Sequence, residues 1–235
     1  MSNLFFIYRW LIYVPYLVLS TIILGACTLI ANALVSAKFA AETFVVAWAK
    51  SNAAIAFMKV KTVGLENIDP RQSYIIVANH QSLFDIFVMY GWLGIDIKWV
   101  IKKELRKAPI IGYCCEALNH VFIDRSNRQA ALASLEEAKR FIVDGTSIIF
   151  FPEGTRSKTG KLGTFKKGAF RMALDMDLPL LPVTLSGTNK ILPSGSTRLM
   201  PGTAKMIVHP PISLEDNNAN SLSTLSKEAI ASGLQ

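Results

Sequence analysis

The sequence predicts an α/β fold, a mixed and largely parallel sheet flanked by helices, with an N-terminal apolar helix or two-helix hairpin that anchors it in a membrane. Three observations predict it. Short uncharged runs rich in β-branched residues recur along the chain, each bounded by polar turns. Stretches with helical spacing separate these runs, the alternation that builds helix-covered sheets. Residues 10–37 contain no charged side chain, longer than the about 20 residues a helix needs to cross hydrocarbon.

The elements follow in order. The apolar opening is too long for the core of a cleaved signal peptide. Leu24-Gly25-Ala26-Cys27 has the shape of a lipoprotein cleavage box, but the residues after Cys27 stay apolar. A retained anchor is therefore expected, and Pro15 is tolerable in a membrane helix. Residues 39–58 are apolar but interrupted by Glu42 and Lys50, which suits an amphipathic interfacial helix. Strands are expected at 74–78, 97–101, 120–123, 147–151, 180–185 (interrupted by Pro182) and 204–208. Helices are expected at 82–92, 127–143 and 166–176, with Asp144-Gly145 and Pro179 as stops. The resulting division is an anchor over 1–60, a globular domain over 61–213 and a polar tail over 214–235 with a weak helix near 222–230.

With 235 residues, the chain is long enough for one domain with a sizeable core plus an appendage. Half of it is hydrophobic, its mean hydropathy is +0.34, and its net charge is +8. Basic residues crowd the middle, from Lys102 to Arg171. Such a surplus serves nucleic acid, anionic lipid or a phosphorylated substrate. With an apolar segment in front and no nucleic-acid motif, lipid phosphate and anionic membrane lipid are the expected partners, and nucleic acid is not. By the positive-inside tendency, the basic surplus after the anchor favours a cytoplasmic globular domain, although the charges flanking the anchor itself (Arg9 before, Lys38 and Lys50 after) decide little. Cys27, Cys114 and Cys115 have no metal-ligand or disulfide spacing, so neither a metal nor another cofactor is expected.

The chemistry concentrates at strand ends. Asn79-His80-Gln81-Ser82-Leu83-Phe84-Asp85 directly follows the first of these strands, offering an imidazole and a carboxylate five residues apart. On an ideal helix five positions lie about 140° apart, so the two meet only if His80 precedes the helix that Asp85 begins. Ser82 to Asp85 also fits a capping box, compatible with the pair. Backbone N–H groups in this turn are the donors the sequence offers to a developing oxyanion. The second motif, Phe151-Pro152-Glu153-Gly154-Thr155-Arg156-Ser157, follows the 147–151 strand. Gly154 permits close backbone approach, Thr155 can donate a hydroxyl hydrogen bond, and Arg156 can fork onto phosphate oxygens. Lys102 and Arg125 follow two further strands. In parallel strands all of these emerge at one sheet edge.

These motifs, in this order, resemble the glycerolipid acyltransferase family of the 1-acyl-sn-glycerol-3-phosphate acyltransferases. Lys102-Lys103-Glu104-Leu105, Phe122-Ile123-Asp124-Arg125 and Leu181-Pro182-Val183-Thr184 are similar to that family's other blocks, so the likeness covers residues 74–187. It implies transfer of a fatty acyl group from a thioester, on acyl carrier protein or coenzyme A, to the hydroxyl of lysophosphatidic acid. Carried across, His80 is the general base and Asp85 holds its imidazole. Glu153, Gly154, Thr155 and Arg156 form the acceptor site, with Lys102 and Arg125 as phosphate partners. No serine or cysteine is placed as a nucleophile, which favours direct transfer. Acceptors such as a lysophospholipid, a lyso-ornithine lipid or glycerol-3-phosphate fit the same motifs, and a non-catalytic phospholipid-binding protein is the reading from another class. The expected location is a bacterial-type inner membrane, with the globular domain on the cytoplasmic side.

Overall fold

A computed structural model describes residues 2–234 of the chain. Helix α1 runs over Leu4–Leu34, long and apolar enough to cross a membrane, and 17% of its most apolar window is buried. One π-helical turn, Arg9–Tyr13, precedes Pro15, where a wider turn relieves the ring's clash with the carbonyl four residues back. Ser36 then starts a second helix by accepting the N–H of Phe39 at 3.1 Å. This helix, α2, covers residues 37–55 and carries its own π turn at Ala41–Val45. The opening is thus a two-helix hairpin.

The rest alternates strands and helices: β1 Met58–Val63, β2 Ile75–Ala78, α3 Phe84–Trp92, β3 Ile97–Lys102, α4 Ile111–Ala117, β4 Val121–Ile123, α5 Arg128–Ala138, β5 Ser147–Phe150, α6 Gly168–Met176, β6 Leu180–Ser186, β7 Gly202–Val208 and α7 Ala219–Ser232. They build one seven-stranded sheet in the order β1-β7-β6-β2-β5-β3-β4. Every neighbouring pair is parallel except β6 with β7. The expected mixed, largely parallel sheet is the one observed.

Alternation along the central strands divides the core between the two faces of the sheet. Ile76, Ala78, Ile149, Leu181, Val183 and Leu185 face one side, where they meet Tyr13, Ala49 and Ala53 of the hairpin and Phe84, Phe87 and Val88 of α3. Ile75, Val77, Ile148, Phe150 and Leu180 face the other, against Ala138, Phe170, Met172, Ala173, Leu222 and Ile230. The N-terminal hairpin therefore covers one face, and α5, α6 and α7 the other.

Three details differ from expectation. β1 spans residue 60, where the anchor was expected to end; its sequence Met-Lys-Val-Lys-Thr-Val alternates exposed and half-buried residues along a sheet edge, and edge lysines deter further strand pairing. Pro182 does not interrupt β6. Its carbonyl accepts the N–H of His209 at 3.0 Å, just past the end of β7, so the missing donor faces the point where that ladder stops. The C-terminal helix is longer than expected: Asn218 and Ser221 form a reciprocal capping box, and Leu222 and Ile230 are fully buried.

Candidate active site

β2, β5, β3 and β4 run in one sense, and β6 lies beside β2 in the same sense, so their carboxyl ends share one edge. Along that edge stand Thr188 after β6, His80 after β2, Glu153 to Arg156 after β5, Lys102 at the end of β3 and Arg125 after β4. Ligands of open α/β sheets bind outside this kind of edge.

His80 lies in the turn before α3 and Asp85 in the first turn of the helix, the arrangement that five-residue spacing demands. His80 Nδ1 is 2.8 Å from Asp85 Oδ2. The same oxygen accepts the N–H of Gln81 at 2.7 Å and of Ser82 at 2.9 Å, while Oδ1 accepts the Thr188 hydroxyl at 2.5 Å. Asp85 is 0% exposed; a buried carboxylate is tolerated when donors surround it. With Asp85 as acceptor, Nδ1 carries the imidazole proton and Nε2 keeps its lone pair. The His80 ring stacks on Phe151, centroids 3.9 Å apart and planes 7° from parallel, which fixes its plane. Its side chain stays 14% exposed, so Nε2 is reachable.

The capping box is half realised. Ser82 N–H meets Asp85, but the Ser82 hydroxyl accepts the N–H of Phe84 at 3.2 Å and donates to Leu192 O at 2.7 Å. The N–H groups of His80, Gln81 and Ser82 all point at carboxylates. They are therefore not available to an oxyanion, contrary to the sequence expectation.

Glu153 ties the two loops together. Oε1 accepts the N–H of His80 at 3.0 Å and Oε2 the N–H of Gly163 at 2.9 Å, while Ser157 N–H donates to His80 O at 2.7 Å. Its geometry is that of a brace. Gly154 adopts φ +74°, and a Cβ there would come 2.8 Å from Lys166 Nζ. Arg125 reaches across from β4 and donates to Gly154 O at 2.6 Å. Thr155 is exposed and Arg156 half-buried. Lys102 is exposed and lies 3.6 Å from Glu104.

The other histidines are otherwise engaged. Burial, with the nearby Lys98 charge, pushes His120 down to about 3; its ring meets Tyr90 OH at 2.5 Å and Trp99 N–H at 3.3 Å. Burial also lowers His209, which meets the Thr184 hydroxyl at 2.7 Å. Thiols are also unsuited as nucleophiles: burial raises Cys114 and pushes Cys115 up to about 12.

Sequence reasoning misses Thr188 and Asn79. Gly187, at φ +82°, turns the chain so that Thr188 faces Asp85; a Cβ there would lie 2.2 Å from Thr203 O. Asn79 fixes β2 to β6, donating to Leu185 O at 2.8 Å and accepting Leu185 N–H at 2.7 Å. Ser-Gly-Thr after a buried strand is the only sequence signal for Thr188.

A buried carboxylate–imidazole pair at a parallel-sheet edge, with cationic residues on the neighbouring loops, has the parts a general base needs. The chain belongs to the acyltransferase family, whose model matches residues 59–186. It is 37% identical over 192 residues to a 1-acyl-sn-glycerol-3-phosphate acyltransferase of Chlamydomonas reinhardtii, covering 80% of this chain and 56% of that one. The enzyme of the same name from Pseudomonas aeruginosa is 29% identical over 178 residues, 75% of this chain and 68% of that one. The chain spans about half the length of the algal and plant relatives it matches, 44% to 56%. The crystal structure of the 1-acyl-sn-glycerophosphate acyltransferase PlsC from Thermotoga maritima superposes with a TM-score of 0.80 at 31% identity, covering 99% of this chain and 94% of that one.

Proposed function

We propose that the chain transfers a fatty acyl group from an acyl thioester, on acyl carrier protein or coenzyme A, to the sn-2 hydroxyl of 1-acyl-sn-glycerol-3-phosphate, yielding phosphatidic acid. The observation that carries this reading is His80, bound through Nδ1 to Asp85 and open at Nε2. An alcohol is a weak nucleophile at neutral pH, so its proton must leave as it attacks. His80 Nε2 takes that proton while the hydroxyl oxygen bonds to the thioester carbonyl carbon. Asp85 stabilises the imidazolium that forms. Collapse of the tetrahedral intermediate breaks the carbon–sulfur bond, and the imidazolium returns the proton to the departing thiolate. Arg156, with Thr155 beside it, offers the acceptor's phosphate charge and a hydroxyl; Arg125, Gly154 and Glu153 hold that loop in place, and Lys102 adds positive potential farther along the edge. The names of the relatives support the acceptor, since each is a 1-acylglycerol-phosphate acyltransferase by name.

The long apolar helix supports a membrane location for this chemistry, where the acceptor resides, and we infer that the sheet domain lies on the cytoplasmic side. The test is turnover by purified protein in mixed micelles, read as phosphatidic acid mass. His80→Ala abolishes transfer. Asp85→Asn, which supports the wrong tautomer, lowers kcat by about 10³–10⁴, and Arg156→Ala raises the acceptor KM. Near-normal turnover in Asp85→Asn refutes the dyad; a covalent acyl adduct surviving denaturation refutes direct attack.

A further inference from the structure

The imidazole of a general base must be held in two directions at once. The 2.8 Å contact of His80 Nδ1 with Asp85 Oδ2 fixes one ring nitrogen. A single hydrogen bond at one edge leaves the ring free to tilt, and a tilt swings Nε2, on the far edge, away from the acceptor hydroxyl. A displacement of about 1 Å there can cost 10²-fold in rate. The second restraint comes from the neighbouring strands.

Side chains alternate along a strand, so His80 falls on the face of Ala78, and Phe151 on the face of Ile149, the side covered by the hairpin. Trp99 of β3 is the register partner of Ile149. Three rings thus line up across β2, β5 and β3. His80 and Phe151 lie 3.9 Å apart and within 7° of parallel, and Phe151 meets Trp99 at 5.5 Å and 44°. Trp99 in turn meets Tyr90 of α3 at 5.3 Å. Tyr90 is pinned: its hydroxyl is 2.5 Å from His120 Nε2, and His120 Nδ1 accepts the Trp99 backbone N–H at 3.3 Å. Trp99 is 4% exposed, and its indole N–H has no acceptor among the described residues. Ring packing alone therefore sets the indole against Phe151. The stack ends in a buried backstop that is tied by hydrogen bonds.

This contact is electrostatic as well as steric. An aromatic face carries negative charge density, so Phe151 attracts an imidazolium more strongly than a neutral imidazole. It strengthens as the proton arrives, and only interactions that strengthen toward the transition state speed the reaction.

We propose that Phe151 is a positioning residue for acyl transfer, holding the His80 ring against tilt, and that Trp99 is the support that keeps Phe151 in place. Both act through the imidazole and not on the substrates. This rests on the acyl-transfer reading.

The test uses full-length protein in micelles with lysophosphatidic acid, and palmitoyl-coenzyme A and palmitoyl-acyl carrier protein as alternative donors. Phe151→Leu keeps an apolar side chain but removes the flat face. It is expected to lower kcat at least tenfold, with both KM values within twofold. Phe151→Tyr, which keeps the ring, restores most of the rate, and Trp99→Leu gives an intermediate loss in kcat. A second readout is independent of activity. The chain has three histidines, so carbon-13 labelling of histidine gives three ring signals, and His80→Ala assigns one of them. The ring current of Phe151 displaces the His80 signal upfield in the wild type, and Phe151→Leu returns it downfield. His209, held by the Thr184 hydroxyl, keeps its signal and reports a folded protein. Normal kcat in Phe151→Leu or Trp99→Leu overturns the proposal. So does a rise in either KM at unchanged kcat, which marks a substrate contact, or an equal loss in Phe151→Leu and Phe151→Tyr. A wild-type His80 signal without upfield displacement overturns it with no variant needed. Wild-type protein that transfers no acyl group from either donor overturns the acyl-transfer reading itself, and the positioning role with it.

Discussion

Asp85 gathers donors from His80, Gln81, Ser82 and Thr188 in a pocket sealed from solvent, so its orientation depends on each. Three of the four are local, and the motif itself makes them legible in the sequence. Thr188 is 103 residues away, and its approach depends on β6 lying beside β2, a pairing that no single-strand pattern encodes. A hydrogen bond to a buried charged group contributes about 1.5–3 kcal/mol. Thr188→Val is isosteric and removes only that bond. It is expected to lower kcat about tenfold with acceptor KM little changed, and Thr188→Ser, which keeps the hydroxyl, restores most of the rate. If Val and Ser variants behave alike in steady-state assays, Thr188 only fills space. Glu153 shows the complementary case: its motif is legible, but its bracing of two backbone amides emerges only once the loops are folded.

At the level of elements, legibility follows local pattern. β2 and β5 are uncharged β-branched runs and read directly. β1 hides because two of its six residues are lysines, and α4 because its seven residues, Ile-Gly-Tyr-Cys-Cys-Glu-Ala, lack an apolar stripe. α4 instead belongs with α1: Cys114 Sγ donates to Gly25 O at 3.5 Å, and any Cβ on Gly25 would lie 2.3 Å from Ile110. The hairpin is also tied internally, Asn52 Nδ2 donating to Ser20 Oγ at 3.0 Å and Trp48 Nε1 to Thr21 Oγ1 at 3.0 Å. Such interhelical bonds average about 0.6 kcal/mol in membrane proteins, so Asn52→Leu is expected to leave kcat within twofold. Tyr13 differs. It is buried in the core and stacks on Phe84, centroids 6.0 Å apart, one residue before Asp85. A displacement of about 1 Å at a catalytic group can cost 10²-fold in rate. Tyr13→Ala is expected to lower kcat at least tenfold while vesicle binding persists. A variant with normal kcat would show that the anchor and the dyad are mechanically independent.

For the whole molecule, the sheet separates the proposed site from a pH liability. The dyad sits at the carboxyl edge, whereas His120 immediately precedes β4 and Asp96 precedes β3, at the opposite ends of their strands. Here a buried pair, Lys98 to Asp96 at 2.8 Å, is joined by Thr146, and His120 is held neutral with a value near 3. In the unfolded chain its value returns to about 6.5. Between those limits the unfolded state binds the extra proton, so stability is at its plateau above pH 6.5 and falls as the solution is acidified. The slope approaches about 1.4 kcal/mol per pH unit, or about 2–3 kcal/mol lost between pH 6.5 and 4.5. Burial lowers His209 too, which adds loss of the same sign. The denaturation midpoint in detergent should therefore drop steeply below pH 6.5. His120→Gln, which cannot take up the proton, should have a lower midpoint at pH 7 but a flatter acid limb. An acid limb as steep in His120→Gln as in wild type would assign the pH dependence to other groups, and would mean that this end of the sheet opens to water before it protonates.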